Sequence, residues 1–390
     1  MNTQKIRSLH SGVVKDINEQ LVLKLVQENE TISSSDLVRI TGMRPSTIFN
    51  ILKGLSAKAF VKFHGKGEST IKGGKKPYVW TLNKEVAYAI GLDVEVGEMT
   101  IVLLDFSGAI AAKKTLQLPP VRTPQELAAT IVKVVNEFII ECRIAKDKIL
   151  GLGIAVAGIV DCQNGIVVMS SVLPEMNVPL MRYLTDLPFH VIVENNANAA
   201  AVGLKWNSKD KPKQNYITVL IEIDRNVSGL GIGIVIDGKL YRGASFSAGE
   251  LYPHLPSLQE ILASVRSRFS EGTVLRRYIS SFDSIDIHLL LDAAKQGDKI
   301  ARHAISMIGN VVGQTITPAI ALLNPDTLIL TGDVTEVEDV LLASVRNVIE
   351  LRVLAITSNS LQIVTDKHYH YAVAVGAASL ILEDFFHLLP

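Results

Sequence analysis

The chain predicts an α/β protein with a small helical module at its N-terminus, and three features of the sequence say so. Residues 17 to 59 hold three segments of helical period separated by turn signals. From Asn83 onward, short apolar strands and helices follow one another, the order that builds a mixed α/β body. Between Gly231 and Arg242 two strand-like runs flank Asp237-Gly238, the strongest short hairpin signal a sequence offers.

At 390 residues the chain has room for two or three domains and a sizeable core. Its formal charge is zero, but of 39 Lys+Arg and 39 Asp+Glu, 13 and 6 fall in residues 1–80, which leaves 26 and 33 for residues 81–390. A basic N-terminal module on an acidic body suits phosphate binding; the alternative is chance. The two cysteines, Cys142 and Cys162, lie far apart and in no spacing that a zinc site requires, so neither metal nor disulfide is expected. The first residues, MNTQKIRSLHSGVVKD, lack an apolar signal core, and no later run reaches the roughly 18 to 20 uninterrupted apolar residues of a membrane span. A cytoplasmic protein with no membrane partner is expected.

Taken in order, residues 17–29 place Ile17, Leu21, Val22, Leu25 and Val26 on one helical face. Ser34 is the candidate cap of a short helix ending at Gly42, and Pro45 sits in the first turn of the next. From Arg44 to Ala59 the apolar side is Ile48, Ile51, Leu52 and Leu55, which leaves Arg44, Ser46, Thr47, Asn50 and Lys53 outward. Those are groove-reading residue types. Strands around Phe60–Phe63 and Tyr78–Leu82 then flank a loop rich in Gly and Lys. The whole reads as a winged helix-turn-helix over residues 1–82. His64, Lys66, Lys72, Lys75 and Lys76 suit contact with DNA phosphates or a minor groove; taken alone, such a loop reads rather as a solvated hairpin tip, and the trihelical pattern before it favours DNA.

Past Asn83 come three strands, AYAIGLDVE, MTIVLLDFSG and AIAAKKTLQL, then a helix from Pro124 to about Cys142. A buried strand GLGIAVAGIVD, a helix near Leu180–Leu187, strand HVIVEN and helix NANAAAVGLKW follow. After the Asp-Gly hairpin, Glu250 stands just past a flexible Ala248-Gly249 corner and Glu260 opens an apolar-periodic helical segment. Carboxylates are the usual acceptors of sugar hydroxyls, so the pair either converges on a ligand cleft or marks a solvated helix start.

The stretch Gly229–Ser264 resembles the ROK family (repressors, open reading frames, sugar kinases). That family's pattern is a strand-DG-strand hairpin, GE-x-GH, a zinc-binding cysteine cluster and a Leu-Glu-x-x-x-Ser helix start. Gly249-Glu250 and Glu260–Ser264 match its ends, while Pro253 holds the histidine position, His254 comes one place late and the cysteines are missing. The resemblance runs through Asn324–Val334 to AVAVGAASLILEDFF, and Gly73-Gly74-Lys75-Lys76-Pro77 stands where ROK repressors carry GGRRP. It implies a two-lobed actin-like (ribonuclease H-like) body over 83–390. Lobe one would take about 83–204 plus a C-terminal helix, 372–390, and lobe two about 205–371. It also implies a homodimer or homotetramer, since such heads read two half-sites.

For a kinase of this family the resemblance implies a DxGxT-like phosphate hairpin, but here the positions read Asp93-Val94-Glu95-Val96-Gly97-Glu98. Carboxylates repel a polyphosphate and valine blocks approach to the backbone. The family's general base, the aspartate of Asn-Asp-Ala-Asn, is replaced by Asn196 in Asn195-Asn196-Ala197-Asn198. An amide cannot take a hydroxyl proton yet still hydrogen-bonds one; as plain residues, these asparagines are alternatively strand-end turn formers. Ala157-Gly158 takes the family's Pro-Gly position beside the sugar. The expectation is therefore a DNA-binding transcriptional regulator, a repressor of carbohydrate-utilisation genes and not an enzyme. It would use no cofactor, bind operator DNA, and hold a sugar or sugar-derivative effector through Ala157, Gly158, Asn195, Asn196, Glu250, His254 and Glu260. The rivals are a sugar kinase with an added DNA-binding head and a DNA-binding protein whose body only oligomerises.

Overall fold

A computed structural model describes residues 17–67, 76–207, 214–251, 255–366 and 369–388. The N-terminal module begins with helix α1 (17–28), strand β1 (Ile32–Ser33), α2 (Ser34–Thr41) and α3 (Pro45–Ala57), and ends in strands β2 (Val61–Lys66) and β3 (Tyr78–Leu82). The three strands pair in the order β1-β3-β2. The cap of α2 is Ser33, one residue before the expected Ser34, because its hydroxyl reaches the Asp36 amide. On α1 the expected apolar face is rotated: Val22, Leu23 and Val26 are sealed in the core, whereas Ile17 is 55% and Leu21 41% exposed.

Two five-stranded sheets follow, built on one plan. In the first, β4 (Tyr88–Glu95), β5 (Glu98–Asp105) and β6 (Ile110–Gln117) form an antiparallel meander; β7 (Ile149–Val156) and β10 (His190–Asn195) join in parallel, in the order β10-β7-β4-β5-β6. The second repeats this with β11 (Tyr216–Glu222), β12 (Gly229–Ile236) and β13 (Lys239–Leu240) as the meander and β14 (Thr327–Thr331) and β15 (Gln362–Thr365) in parallel. Asp237 and Gly238 both take positive φ between β12 and β13, as a two-residue hairpin turn of this type demands.

Helix α4 (Pro124–Cys142) crosses the first sheet, with Thr123 as its cap. The strand expected over Gly151–Asp161 is broken at Ala157-Gly158 into β7 and β8 (Gly158–Asp161), and β8 pairs with β9 (Ile166–Ser170). A side chain at Gly158 (φ 133°) would stand 2.1 Å from the Met169 carbonyl. The helix expected near Leu180–Leu187 shrinks to one 3-10 turn, Leu180–Tyr183, since Pro188 disfavours helical backbone at Leu187. In the second half α6 (Leu258–Val265), α7 (Ile287–Lys295), α8 (Lys299–Leu323), α9 (Glu338–Glu350) and α10 (Ala355–Ser360) complete the layers. Among the described residues α8 is the one helix long and apolar enough to cross a membrane, but its buried stripe, Ile300 to Ile320, belongs to the core of this half.

Between the two sheets lie α5 (Asn196–Asn207) and α11 (Ala372–Leu388). The contact is backbone to backbone. A Cβ on Gly376 of α11 would stand 1.7 Å from the Ala199 carbonyl of α5, one on Gly153 of β7 1.8 Å from the Ala377 carbonyl, and one on Gly233 of β12 2.6 Å from the Ala197 carbonyl. Gly376→Ala should therefore cost about 3 kcal/mol, the upper end of overpacking penalties. Gly54→Ala, in α3 with its added methyl 3.6 Å from Glu19, should gain up to about 1 kcal/mol from helix propensity. Urea midpoints for the two variants check this; equal shifts would contradict the packing assigned to α5 and α11.

Candidate functional site

The first sheet ends β10 directly in α5, so Glu194-Asn195-Asn196-Ala197-Asn198 stands at the carboxyl edge of parallel strands, where open α/β sheets place their ligands. Asn195 caps α5: its Oδ1 accepts the Asn198 amide at 3.0 Å, and its Nδ2 donates to the Gly158 carbonyl at 2.6 Å. Asn196 donates through Nδ2 to Glu222 Oε1 at 3.2 Å and accepts the Ala197 amide at 2.9 Å. Ala157-Gly158 and Asn195-Asn196 are thus brought together, as the sequence led us to expect, with each amide keeping one donor and one acceptor lobe for a hydroxyl.

Sequence reasoning missed what holds this edge. Glu194 is 0% exposed; one oxygen accepts the Asn195 amide at 2.9 Å and Asn198 Nδ2 at 3.1 Å, the other the Arg242 guanidinium at 2.7 Å. Arg242 follows β13, so this buried pair ties the first sheet to the second across the cleft. A glutamate amid the apolar run of β10 was the available signal, because a buried carboxylate needs a cation.

Glu250 lies on the second side. Gly249 (φ 93°) presses on the Ile232 carbonyl of β12, 2.1 Å from where a Cβ would stand, and Gly231 and Gly233 on either side of Ile232 meet Ala197 of α5. Glu250 and Asn196 therefore flank one strand. The Glu250 carboxylate makes no hydrogen bond or ion pair with the described residues, and burial raises its pKa. Glu260 stands at the start of a helical segment, as expected. It is exposed in the first turn of α6, and its carboxylate closes a capping box with the Ser257 amide at 2.8 Å and hydroxyl at 3.0 Å. His254 lies outside the described residues.

Next to Asn196 the cleft becomes acidic. Asp93 and Glu95 end β4, Glu98 opens β5, Glu222 ends β11 and Asp333 follows β14. Burial, then Glu95 and Glu222, hold Asp93 well above the usual carboxylate range, and its Oδ1 is buried without a partner. Glu95 is raised by burial, Glu98 and Asp333. Glu222 is pushed up to about 8 by burial, Glu95 and Asp333. A polyphosphate placed here meets carboxylates from both halves of the body.

In the N-terminal module Arg44, Ser46, Asn50 and Lys53 are exposed along α3 and Thr47 is half-buried; His64 and Lys66 are exposed on β2, and Lys76 just before β3. Lys72 and Lys75 lie outside the described residues. Phe49, 57% exposed on α3, joins this surface and was not anticipated, since a lone aromatic in a helix reads as core.

A family model described as "ROK family" matches residues 89–384. Over 395 residues the chain is 28% identical to the xylose repressor of Caldicellulosiruptor bescii, covering 95% of this chain and 97% of that protein. Over 385 residues it is 23% identical to the N-acetylglucosamine repressor of Escherichia coli O6:H1, covering 95% and 93%. A solved ROK family transcriptional regulator, a homologue of the E. coli MLC protein, superposes with TM-score 0.76 and 23% identity over 96% of this chain and 98% of its own. A ROK family glucokinase from Streptomyces griseus, in complex with glucose and AMPPNP, superposes with TM-score 0.63 and 23% identity over 75% of this chain and 99% of its own.

An acid whose pKa is higher in the fold than in the unfolded chain stays protonated in the fold where the unfolded form is ionised, so rising pH favours unfolding between the two values. For Glu222 that window runs from 4.5 to about 8. Thermal melts should show stability declining across it, and Glu222→Gln, which keeps the acceptor for Asn196, should flatten the decline. An equally steep decline in the variant would remove Glu222 as its source.

Proposed function

The chain belongs to the ROK family, and on that premise we propose that it is a sugar-responsive DNA-binding transcriptional repressor and not an enzyme. One observation carries the choice between regulator and kinase: Asp93, Glu95, Glu98, Glu222 and Asp333 occupy the half of the cleft where a phosphate donor would lie. Asn196, in place of a carboxylate base, binds a hydroxyl without taking its proton. The regulator superposes along 96% of the chain and the glucokinase along 75%, in keeping with a module that a kinase does not need.

In this reading residues 1–82 form a winged helix-turn-helix. Arg44, Ser46, Thr47, Asn50 and Lys53 face the major groove, and His64, Lys66, Lys72, Lys75 and Lys76 face phosphates or a minor groove. Residues 83–390 form the effector-sensing body, with lobe one of about 83–204 plus 372–390 and lobe two of about 205–371. Ala157, Gly158, Asn195, Asn196 and Glu250 hold the sugar, joined by His254 and Glu260. The protein acts in the cytoplasm as a homodimer or homotetramer on paired half-sites. A body that serves only as a scaffold is favoured by one observation, that the asparagine amides and Glu260 already have partners within the chain. Thermal shift with D-xylose and N-acetylglucosamine decides between the two.

Glu250→Ala should leave operator affinity without sugar unchanged. It should raise the sugar concentration for half-response roughly ten- to hundredfold, because losing a charged acceptor costs about 1.5 to 3 kcal/mol. Operator titrations at graded sugar check it, and an unaltered response would transfer the reading to the scaffold. Replacing Lys66 or Lys76 by Ala should lower the log–log salt slope of operator binding by about one each. Slopes identical to the parent chain would exclude those lysines from phosphate contact.

A further inference from the structure

The two apolar residues that α1 turns out of its core, Ile17 and Leu21, border a crevice of about 300 Å³. Across it stand Lys205 and Trp206 from the last turn of α5, and Glu383 and Phe386 from the last turns of α11. The N-terminal module therefore rests its first helix against the far ends of the two helices that run between the sheets. These ends are bound to each other: Lys205 Nζ donates to Glu383 at 2.8 Å, and Trp206 lies 5.6 Å from Phe386. Phe386 stacks on Phe106 (5.2 Å, 25°), which stacks on Phe60 (5.5 Å, 21°) at the junction of α3 and β2.

The other end of α5 is the candidate ligand site. Asn195 caps the helix and Asn196 is its first residue, and twelve residues at 1.5 Å each span about 18 Å from there to the crevice. Side-chain hops cannot absorb a push on this helix, because Gly376 and Ala199 meet backbone to backbone and Gly203 meets Gly376 in the same way. α5 and α11 must move together. The crevice is a place along their length where movement meets unfilled volume, bordered by Ile17, Leu21, Trp206 and Phe386 together with polar side chains such as Lys24 and Gln27, and two packings of one interface are the usual form of a switch.

We infer that this crevice is the joint through which the body controls the N-terminal module: a sugar held at Asn195, Asn196 and Glu250 shifts α5 and α11 as a unit, and their ends reseat α1. The inference rests on the effector reading of the cleft. It assigns Trp206, Leu21 and Phe386 a role in coupling that is separate from ligand binding.

Coupling is reciprocal, so operator DNA alone must be felt at the joint. In a Trp80→Phe background, which leaves Trp206 as the sole tryptophan, the emission of Trp206 should shift on adding a duplex selected by the full chain from a random-sequence library. Amide exchange over residues 196–207 should change with it. Leu21→Trp, made in the parent chain to fill the crevice, should leave the calorimetric affinity for D-xylose or N-acetylglucosamine within about twofold. It should also reduce the sugar response of operator binding by about fivefold or more, the lower end of ordinary allosteric coupling. An unchanged response, a loss of sugar affinity in Leu21→Trp, or no change at Trp206 and 196–207 on operator binding overturns the joint. If neither sugar binds the parent chain, the effector reading fails instead, and the operator-driven change at Trp206 alone decides whether the joint exists.

Discussion

The backbone contact between α5 and α11 is the constraint on which the rest of the structure depends. Each half of the body carries its own sheet and its own core, and what holds the halves in register is a layer of small residues: Gly91 and Gly153 beneath α11, Gly231 and Gly233 beneath α5, and Gly376 between the helices. Packing this close removes the side chains that would let one helix slide over another. A small displacement at one end must therefore appear at the other or break the contact. The same layer aims Asn195 and Asn196 into the cleft, because α5 can start only where β10 delivers it.

A second consequence concerns charge. Bringing the carboxyl ends of β4 and β11 together places Asp93, Glu95 and Glu222 within reach of one another in a poorly solvated cleft. Such a group of acids settles by keeping protons, since burial and mutual repulsion both disfavour ionisation. Glu222, held protonated to about pH 8, also takes the Asn196 amide as a donor, so the acidic half of the cleft orients a residue of the other half. Glu194, a fully buried carboxylate, is instead answered by Arg242 from beyond β13.

Much of the architecture was legible in local pattern. The helix from Pro124 to Cys142 starts and stops where its cap and period place it. Asp237-Gly238 turns as its residue types demand, and the buried side of α3 is the expected Ile48, Ile51, Leu52 and Leu55. The departures share a cause. Ile17 and Leu21 fit the helical face of α1 by spacing but are left outside it, because the body's helix ends come to that side. What crowds Gly158 at the break after Ala157 was not legible, because the Met169 carbonyl lies eleven residues further on, in β9.

By itself, then, the sequence determined most of the elements, the basic N-terminal module and the motifs that mark the family. The elements and the charge are carried by periodicity, turn chemistry and residue type within short windows, and the family by the resemblance of motifs spread along the chain. Only the tertiary structure decided which polar groups find partners. Arg242 reaches Glu194 across 48 positions and Asn196 reaches Glu222 across 26, while Glu250 meets no described partner. Partnership is a matter of distance in three dimensions and of lost water, and neither is written in the spacing of residues along a chain.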